Sequence, residues 1–318
     1  MRVLASVQPG TGHLLPLVPT LHAPRDTGHT VVVASAEPLR AEVAAAGLEF
    51  APVGRPWHES DADARMPGFQ AAGPIGQLRM FVDLGRTVLP DLLTLIDELQ
   101  PDLLMREPYE FSAWLAAERS QLPLVVHAIG VVSGSMPMIA AAAGESLAAA
   151  RAAIGLPADP ELTSLYGRGM ISFYPSSLRF LPAPPPPVPG RLVRLPPPGP
   201  AQLPFERIRP DRPLIYITLG TVFNTTVELL RTLVAGAAAL DVEVLVTTGR
   251  TVDPTALGPH VGRSADLRQG LCPGRRRRAP GAGPATGGGA GLRDRPGRGH
   301  RRPGQRRDHP GTGEPCLP

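Results

Sequence analysis

The stretch MRVLASVQPGTGHLLPLVP, residues 1–19, decides the architecture. Arg2 to Val7 is a short apolar run of strand length, and Gln8 to Gly12 is a glycine-bearing turn. From His13 to about Arg25 the residues Leu14, Leu17, Val18 and Leu21 recur at helical spacing. The unit then repeats, with Thr30 to Ser35 as a second strand, Pro38 to Ala46 as a helix stopped by Gly47, and Leu48 to Val53 as a third strand. The order β-α-β-α-β is that of a parallel α/β sheet. Pro24, close to the end of the first helix, is expected to shorten it.

Beyond this opening, residues 54 to 76 read as a loop and Ile75 to Leu99 as a helix. A strand from Asp102 to Arg106, a helix from Glu110 to Arg119 and a strand from Leu124 to His127 extend the pattern, followed by an alanine-rich helical region from Met138 to Ala153. Residues 181 to 204 hold 11 prolines in 24 positions, so they are neither helix nor central strand but a stiff linker. A second α/β unit begins with a strand from Pro213 to Leu219, a turn at Gly220 and Thr221, a helix from about Thr225 to Leu240 and a strand from Val242 to Thr248. The expected division is a complete Rossmann-like domain over 1–180, a linker over 181–210, an incomplete second Rossmann-like domain over 211–260, and a tail over 261–318.

Composition has to be read by region. The chain has 318 residues, 42% apolar and 19% charged, as in a soluble globular protein of about two domains. Glycine and proline together supply 75 of these residues, well above the usual ~12%. Gly270 to Pro318 contains 13 Gly, 8 Pro and 11 Arg with three acids, a formal charge of +8, whereas the preceding residues carry −4. Too little apolar surface is present there to offset the entropy of ordering, so a disordered tail is expected. Every basic residue is arginine, as GC-rich coding produces, and the tail has the composition of a shifted reading frame in such DNA. Arg275 to Arg278 has the charge of a nucleic-acid arm without aromatics for base stacking, and no nucleic-acid partner is expected. Cys272 and Cys316 both lie in the tail, leaving the rest without a disulfide framework. The N-terminal apolar run is too short for a signal peptide, and no stretch reaches the ~18 apolar residues of a membrane span. The expected location is cytoplasmic.

The turn Gly10-Thr11-Gly12 would lie at the carboxyl edge of the sheet, where such folds bind ligands, with His13 in the first turn of the helix. The positive end of the helix dipole disfavours imidazolium there, which favours a neutral histidine able to act as a general base; a purely structural histidine fits the same position. A dinucleotide reading fails because Leu15 stands where the third small residue belongs. Thr218 to Thr221 could present backbone N–H groups and a hydroxyl to a phosphate.

Four segments, taken in order, carry a resemblance: QPGTGHLLPLVP, PDLLMREPYEFSAWLAAE at 101–118, RLVRLPPPGP before the second unit, and LIYITLGTVFN at its first strand. Over residues 1 to about 258 the chain resembles the bacterial natural-product glycosyltransferases of the GT-B fold, within the UDP-glycosyltransferase superfamily, similar to those that decorate macrolides and other antibiotics. The resemblance implies an N-terminal acceptor domain, a C-terminal domain for a UDP- or dTDP-sugar, and inversion at the anomeric carbon. His13 matches the family's base, and Glu107 the acid that supports it, fixing its tautomer. Glu110 either competes for that role or begins a helix, and Arg106 could pair with either acid. Gly12, Gly220 and Thr221 are the expected contacts to the donor phosphates. No metal or tightly bound cofactor is implied, the nucleotide sugar being a co-substrate.

Trp57, Met66, Phe69, Met80 and Phe81 offer apolar surface for a lipophilic acceptor or for ordinary packing. His58 reads as an exposed loop histidine, and His22 has no assigned role. The chain departs from the family in lacking the late His-Gly-Gly-x-Gly-Thr helix start and the acidic-Gln pair after it. Pro280 to Gly291 is glycine-rich without a preceding strand. Two readings stay open: an inverting glycosyltransferase acting on a lipophilic secondary metabolite, and a catalytically dead acceptor-binding remnant.

Overall fold

Seven strands, all parallel, form one sheet in the computed structural model, which describes residues 1–130, 132–174, 187–194, 211–220, 226–249 and 252–257. In chain order the first elements are β1 (Arg2–Ser6), α1 (Thr11–Leu14), α2 (Val18–Asp26), β2 (Thr30–Ser35), α3 (Arg40–Ala45) and β3 (Glu49–Pro52). They are followed by α4 (Ala62–Arg65), α5 (Gly73–Leu99), β4 (Leu103–Arg106), α6 (Phe111–Ser120), β5 (Leu124–His127), α7 (Val132–Ala153), β6 (Gly169–Ser172) and β7 (Gly190–Leu192). The sheet order is β3-β2-β1-β4-β5-β6-β7. A separate two-stranded parallel sheet pairs β8 (Leu214–Thr218) with β9 (Glu243–Thr247), joined through α8 (Val227–Ala238). The fold is α/β, built on parallel sheets.

Alternation along the strands divides the core. Val3, Ala5, Val31 and Val33 cluster with Leu14, Leu21, Leu39 and Val43 of the first helices. Their neighbours Leu4, Val32, Leu104 and Val126 cluster with Val82, Leu92, Trp114 and Leu147 of α5, α6 and α7. Both faces of the sheet are therefore covered, and β1 and β2 are buried along all but their first residue, as parallel strands between helical layers must be.

Four sequence expectations change. The helix after the first turn is two helices, because Pro16 has no N–H to continue the ladder across 15–17. Pro24 does not end the second of them, which runs to Asp26. The loop over 54–76 contains a 3₁₀ turn at Glu59–Asp61 and the short α4. Inside the proline-rich run, β7 adds an exposed edge strand, held by Met170 N–H to Pro189 O at 3.0 Å and Val193 N–H to Ser172 O at 2.7 Å. An edge is where such a run can join a sheet. The rest of the linker, Thr221 and the tail with Cys272, Cys316 and Arg275 to Arg278 lie outside the described residues. No helix among the described residues is long and apolar enough to cross a membrane.

Candidate active site

Strand order reverses beside β1. β2 lies on one side of it, and β4, which arrives after the long α5, on the other, with Ser6 in register with Arg106. Turns leaving the carboxyl ends of two such strands diverge and open a crevice, where parallel α/β sheets bind ligands. The β1 turn carries His13 and the β4 turn carries Glu107. Their side chains meet there, Nδ1 of His13 lying 3.1 Å from Oε1 of Glu107. The contact is close but bent, so neither atom makes a well-aligned hydrogen bond. Glu107 is fully buried, and its other oxygen accepts the N–H of Tyr109 at 2.7 Å, which fixes the carboxylate within its own turn.

Arg106 pairs with neither acid side chain. Its guanidinium, wholly buried, donates to the carbonyls of Glu107, Pro108 and Glu110 at 3.0, 2.9 and 3.3 Å and to that of Leu165 at 2.5 Å. Arginine's fixed fork of donors suits this gathering of carbonyls. Burial pushes its pKa down to about 10, against the opposing pull of Glu107 and Glu110. Glu110 is the N-cap of α6, accepting from Ser112 N–H at 3.2 Å, from Ala113 N–H at 2.8 Å and from the Ser112 hydroxyl. Burial raises its pKa despite those bonds. Of the two acids in REPYE, Glu107 reaches His13 and Glu110 begins a helix.

The expected effect of the dipole on His13 is overridden. Burial alone would depress the imidazole, but the charge of Glu107, its hydrogen-bonding contact and the charge of Glu59 together raise the pKa above its ordinary value. A four-residue α1 supplies little dipole, whereas a carboxylate in contact favours the charged ring strongly. Around the ring stand Phe81 and Tyr109, each edge-on with centroids 6.2 and 6.0 Å away. Gln8 donates to the Tyr109 carbonyl at 3.0 Å, tying the two turns together. Trp57 and Phe69 are buried with Ala36 and Ala62, and Met66, Met80 and Phe81 pack against them. The five apolar residues singled out in the sequence thus form one cluster, with Phe81 its member beside His13. A small cavity of about 20 Å³ borders it, lined by Ser6, Gln8, Ser35, Trp57, Leu84 and Glu110, room for roughly one water.

Other sequence candidates fall as follows. Gly12 directs its N–H toward Oε1 of Glu59 at 3.4 Å. Gly10 has φ −154°, open to any residue, and glycine is needed there for space: a Cβ would stand 2.5 Å from Oε2 of Glu59. Gly220 has φ +75°, with its N–H on the Thr218 hydroxyl at 3.2 Å. His58 is buried, contrary to expectation, because its Nδ1 accepts the Ser60 N–H and caps the 3₁₀ turn. His22 binds the Ala46 carbonyl at 2.7 Å. The residues missed by sequence reasoning are Glu59, Gln8 and Tyr109. For Glu59 the only signal is the capping pattern His58 to Asp61 after an apolar anchor at Trp57. Among the described residues no group of three or more His, Cys, Asp or Glu side chains is arranged to hold a metal ion.

No protein-family model matches the chain. It is 32% identical over 275 residues to the L-demethylnoviosyl transferase of Streptomyces niveus, a match covering 80% of this chain and 66% of that protein. The chain belongs to the antibiotic glycosyltransferases. To the 4'-demethylrebeccamycin synthase of Lentzea aerocolonigenes the identity is 26% over 311 residues, covering 79% of this chain and 70% of the relative. The chain therefore spans about two thirds of the length of these glycosyltransferases. Among solved structures of the family, the spinosyn rhamnosyltransferase SpnG aligns with a TM-score of 0.57 at 26% identity, covering 77% of this chain and 65% of that one. SpnG structures are complexed with the spinosyn aglycone and with thymidine diphosphate.

Proposed function

We propose that the chain moves a sugar from a dTDP- or UDP-linked donor to a hydroxyl of a lipophilic secondary metabolite, with inversion at the anomeric carbon. The observation that carries this reading is the approach of His13 Nδ1 to Glu107 Oε1 at 3.1 Å across the strand-order reversal. With Nδ1 engaged by the carboxylate, Nε2 is left to receive the acceptor's proton. As that proton moves to Nε2, the acceptor oxygen forms a bond to the anomeric carbon. The bond from that carbon to the phosphate oxygen breaks, and its electron pair leaves with the nucleoside diphosphate. Glu107 stabilises the imidazolium that results and holds the ring's orientation. The Glu107 carboxylate raises the pKa of the imidazole above its ordinary value, which makes the ring the better proton acceptor.

Phe81 and Tyr109, edge-on to the imidazole, suit an apolar acceptor presenting one hydroxyl. Ligands of the relative SpnG, an aglycone and thymidine diphosphate, support the two substrate classes. The same reading assigns the acceptor to residues 1–180 and the donor to the unit after residue 211, with Gly220 and Thr221 touching the diphosphate; the expected phosphate contact of Gly12 gives way, because its N–H is turned to Oε1 of Glu59 at 3.4 Å.

The test pairs calorimetric titration of the chain with dTDP and UDP with transfer assays on the native chain and His13→Ala. The expected result is nucleotide binding by both forms and transfer by the native one alone. Acceptor binding without nucleotide binding or transfer would instead identify an acceptor-binding protein.

A further inference from the structure

Glu59 is a buried acidic residue at this site that the transfer step does not use. It sits on the 3₁₀ turn after the long β3 connection, and that turn is locked to the β1 turn twice. Its backbone N–H donates to the Pro9 carbonyl at 2.8 Å. Its Oε1 accepts from Thr11 N–H at 2.8 Å and more distantly from Gly12 N–H at 3.4 Å. Trp57 and Ala62 on either side are buried anchors, and His58 and Asp61 form a reciprocal capping box around it. The second carboxylate oxygen is buried without a hydrogen-bond partner. It stands so close to Gly10 that a side chain there would collide with it. A buried oxygen left unpaired is costly. A carboxylate held this way, with its charge incompletely neutralised, exerts a field on its surroundings.

We propose that Glu59 is a positioning residue for His13, clamping the amides of the turn that carries the imidazole and adding a second negative charge to that of Glu107. The proposal rests on the reading of His13 as the base and goes beyond it by giving the base two carboxylates from different parts of the chain. The charged and titratable groups bearing on the ring are Glu107 and Tyr109 of the β4 turn and Glu59, while α5 presents the uncharged ring of Phe81. Glu59 acts on His13 in the same direction as Glu107, with the smaller effect of the two.

The test is an NMR pH titration of the full chain, following His13 in the native protein, in Glu59→Gln and in Glu107→Gln. Glutamine at position 59 keeps an oxygen for the Thr11 amide and removes the charge, so a merely structural role leaves His13 unmoved. The expected result is a downward shift of the His13 midpoint in Glu59→Gln and a larger one in Glu107→Gln. A shift in Glu107→Gln alone overturns the role of Glu59 and leaves the base reading intact; no shift in either removes both. Should Glu59→Gln fail to fold, the native chain decides. The Thr11 and Gly12 amide signals must move in acid with the same midpoint as the Glu59 carboxyl carbon, and amides indifferent to that step overturn the clamp.

Discussion

Two histidines stand at the carboxyl edge of the same sheet and titrate in opposite directions. His13, after β1, touches Glu107 and feels Glu59, and its pKa is raised. His127, the last residue of β5, is fully buried and has only neutral partners, the Thr20 hydroxyl on Nε2 at 2.8 Å and the Ala128 carbonyl on Nδ1 at 2.9 Å. A carbonyl can only accept, so Nδ1 carries the proton and Nε2 accepts from Thr20. Burial pushes this ring down to about 4. The contrast teaches that burial at the ligand edge of a parallel sheet lowers an imidazole's hold on its proton. A carboxylate delivered from another strand raises it, and the strand-order reversal between β1 and β4 delivers that carboxylate.

The largest effect that would break this contrast is on turnover. His13→Ala should slow transfer by about 10²–10⁴-fold, the span of a lost general base. His127→Asn should leave turnover per folded molecule unchanged in the same assay. Glu107→Gln, which leaves the imidazole its neighbours but not the charge, should cost on the order of 10²-fold at neutral pH.

Next comes stability against pH, read from urea unfolding of the native chain and His127→Asn. His127 has a folded pKa of about 4, below its unfolded value of 6.5, so the unfolded chain binds more protons between those limits. Its contribution is therefore complete above pH 6.5 and is lost on acidification toward pH 4, roughly 2 kcal/mol between pH 7 and 5. His13 works the other way. Its raised pKa stabilises the fold below 6.5, and that contribution is lost as pH rises through the folded midpoint. The native chain minus His127→Asn should show the acid-side slope, and equal slopes would erase the distinction. The smallest effect is that of Thr20→Val, which leaves Nε2 of His127 without its donor and should cost about 1–2 kcal/mol by the same unfolding measurement.

How much of this was legible in sequence follows from what sets each feature. The β-α-β-α-β opening was readable because Val3 to Val7 and Thr30 to Ser35 carry local apolar runs, the first ended by the glycine turn at Gly10 to Gly12 and the second by Pro38 at the start of a helical turn. His13 and Glu107 were readable only as separate turn residues; their meeting depends on the sheet order, which no local pattern states. The split of the first helix at Pro16 was a local signal passed over in favour of Pro24. β6 is four residues long, and β7 lies between prolines, so neither has a periodicity of its own to detect. Glu59 sits in a stretch read as plain loop, because its importance comes from a contact with Gly10, Thr11 and Gly12 that distant packing creates. Arg106 looked like an ion-pair partner for its acidic neighbours, and the fold used its donors to gather carbonyls instead.

The most direct measurement is an NMR titration of the histidine ring carbons in the native full-length chain and in Glu107→Gln. The account predicts a native His13 midpoint above 6.5 that falls in Glu107→Gln, while His127 stays neutral down to about pH 4 in both. A His13 midpoint at or below 6.5 that ignores the loss of the Glu107 charge would contradict it.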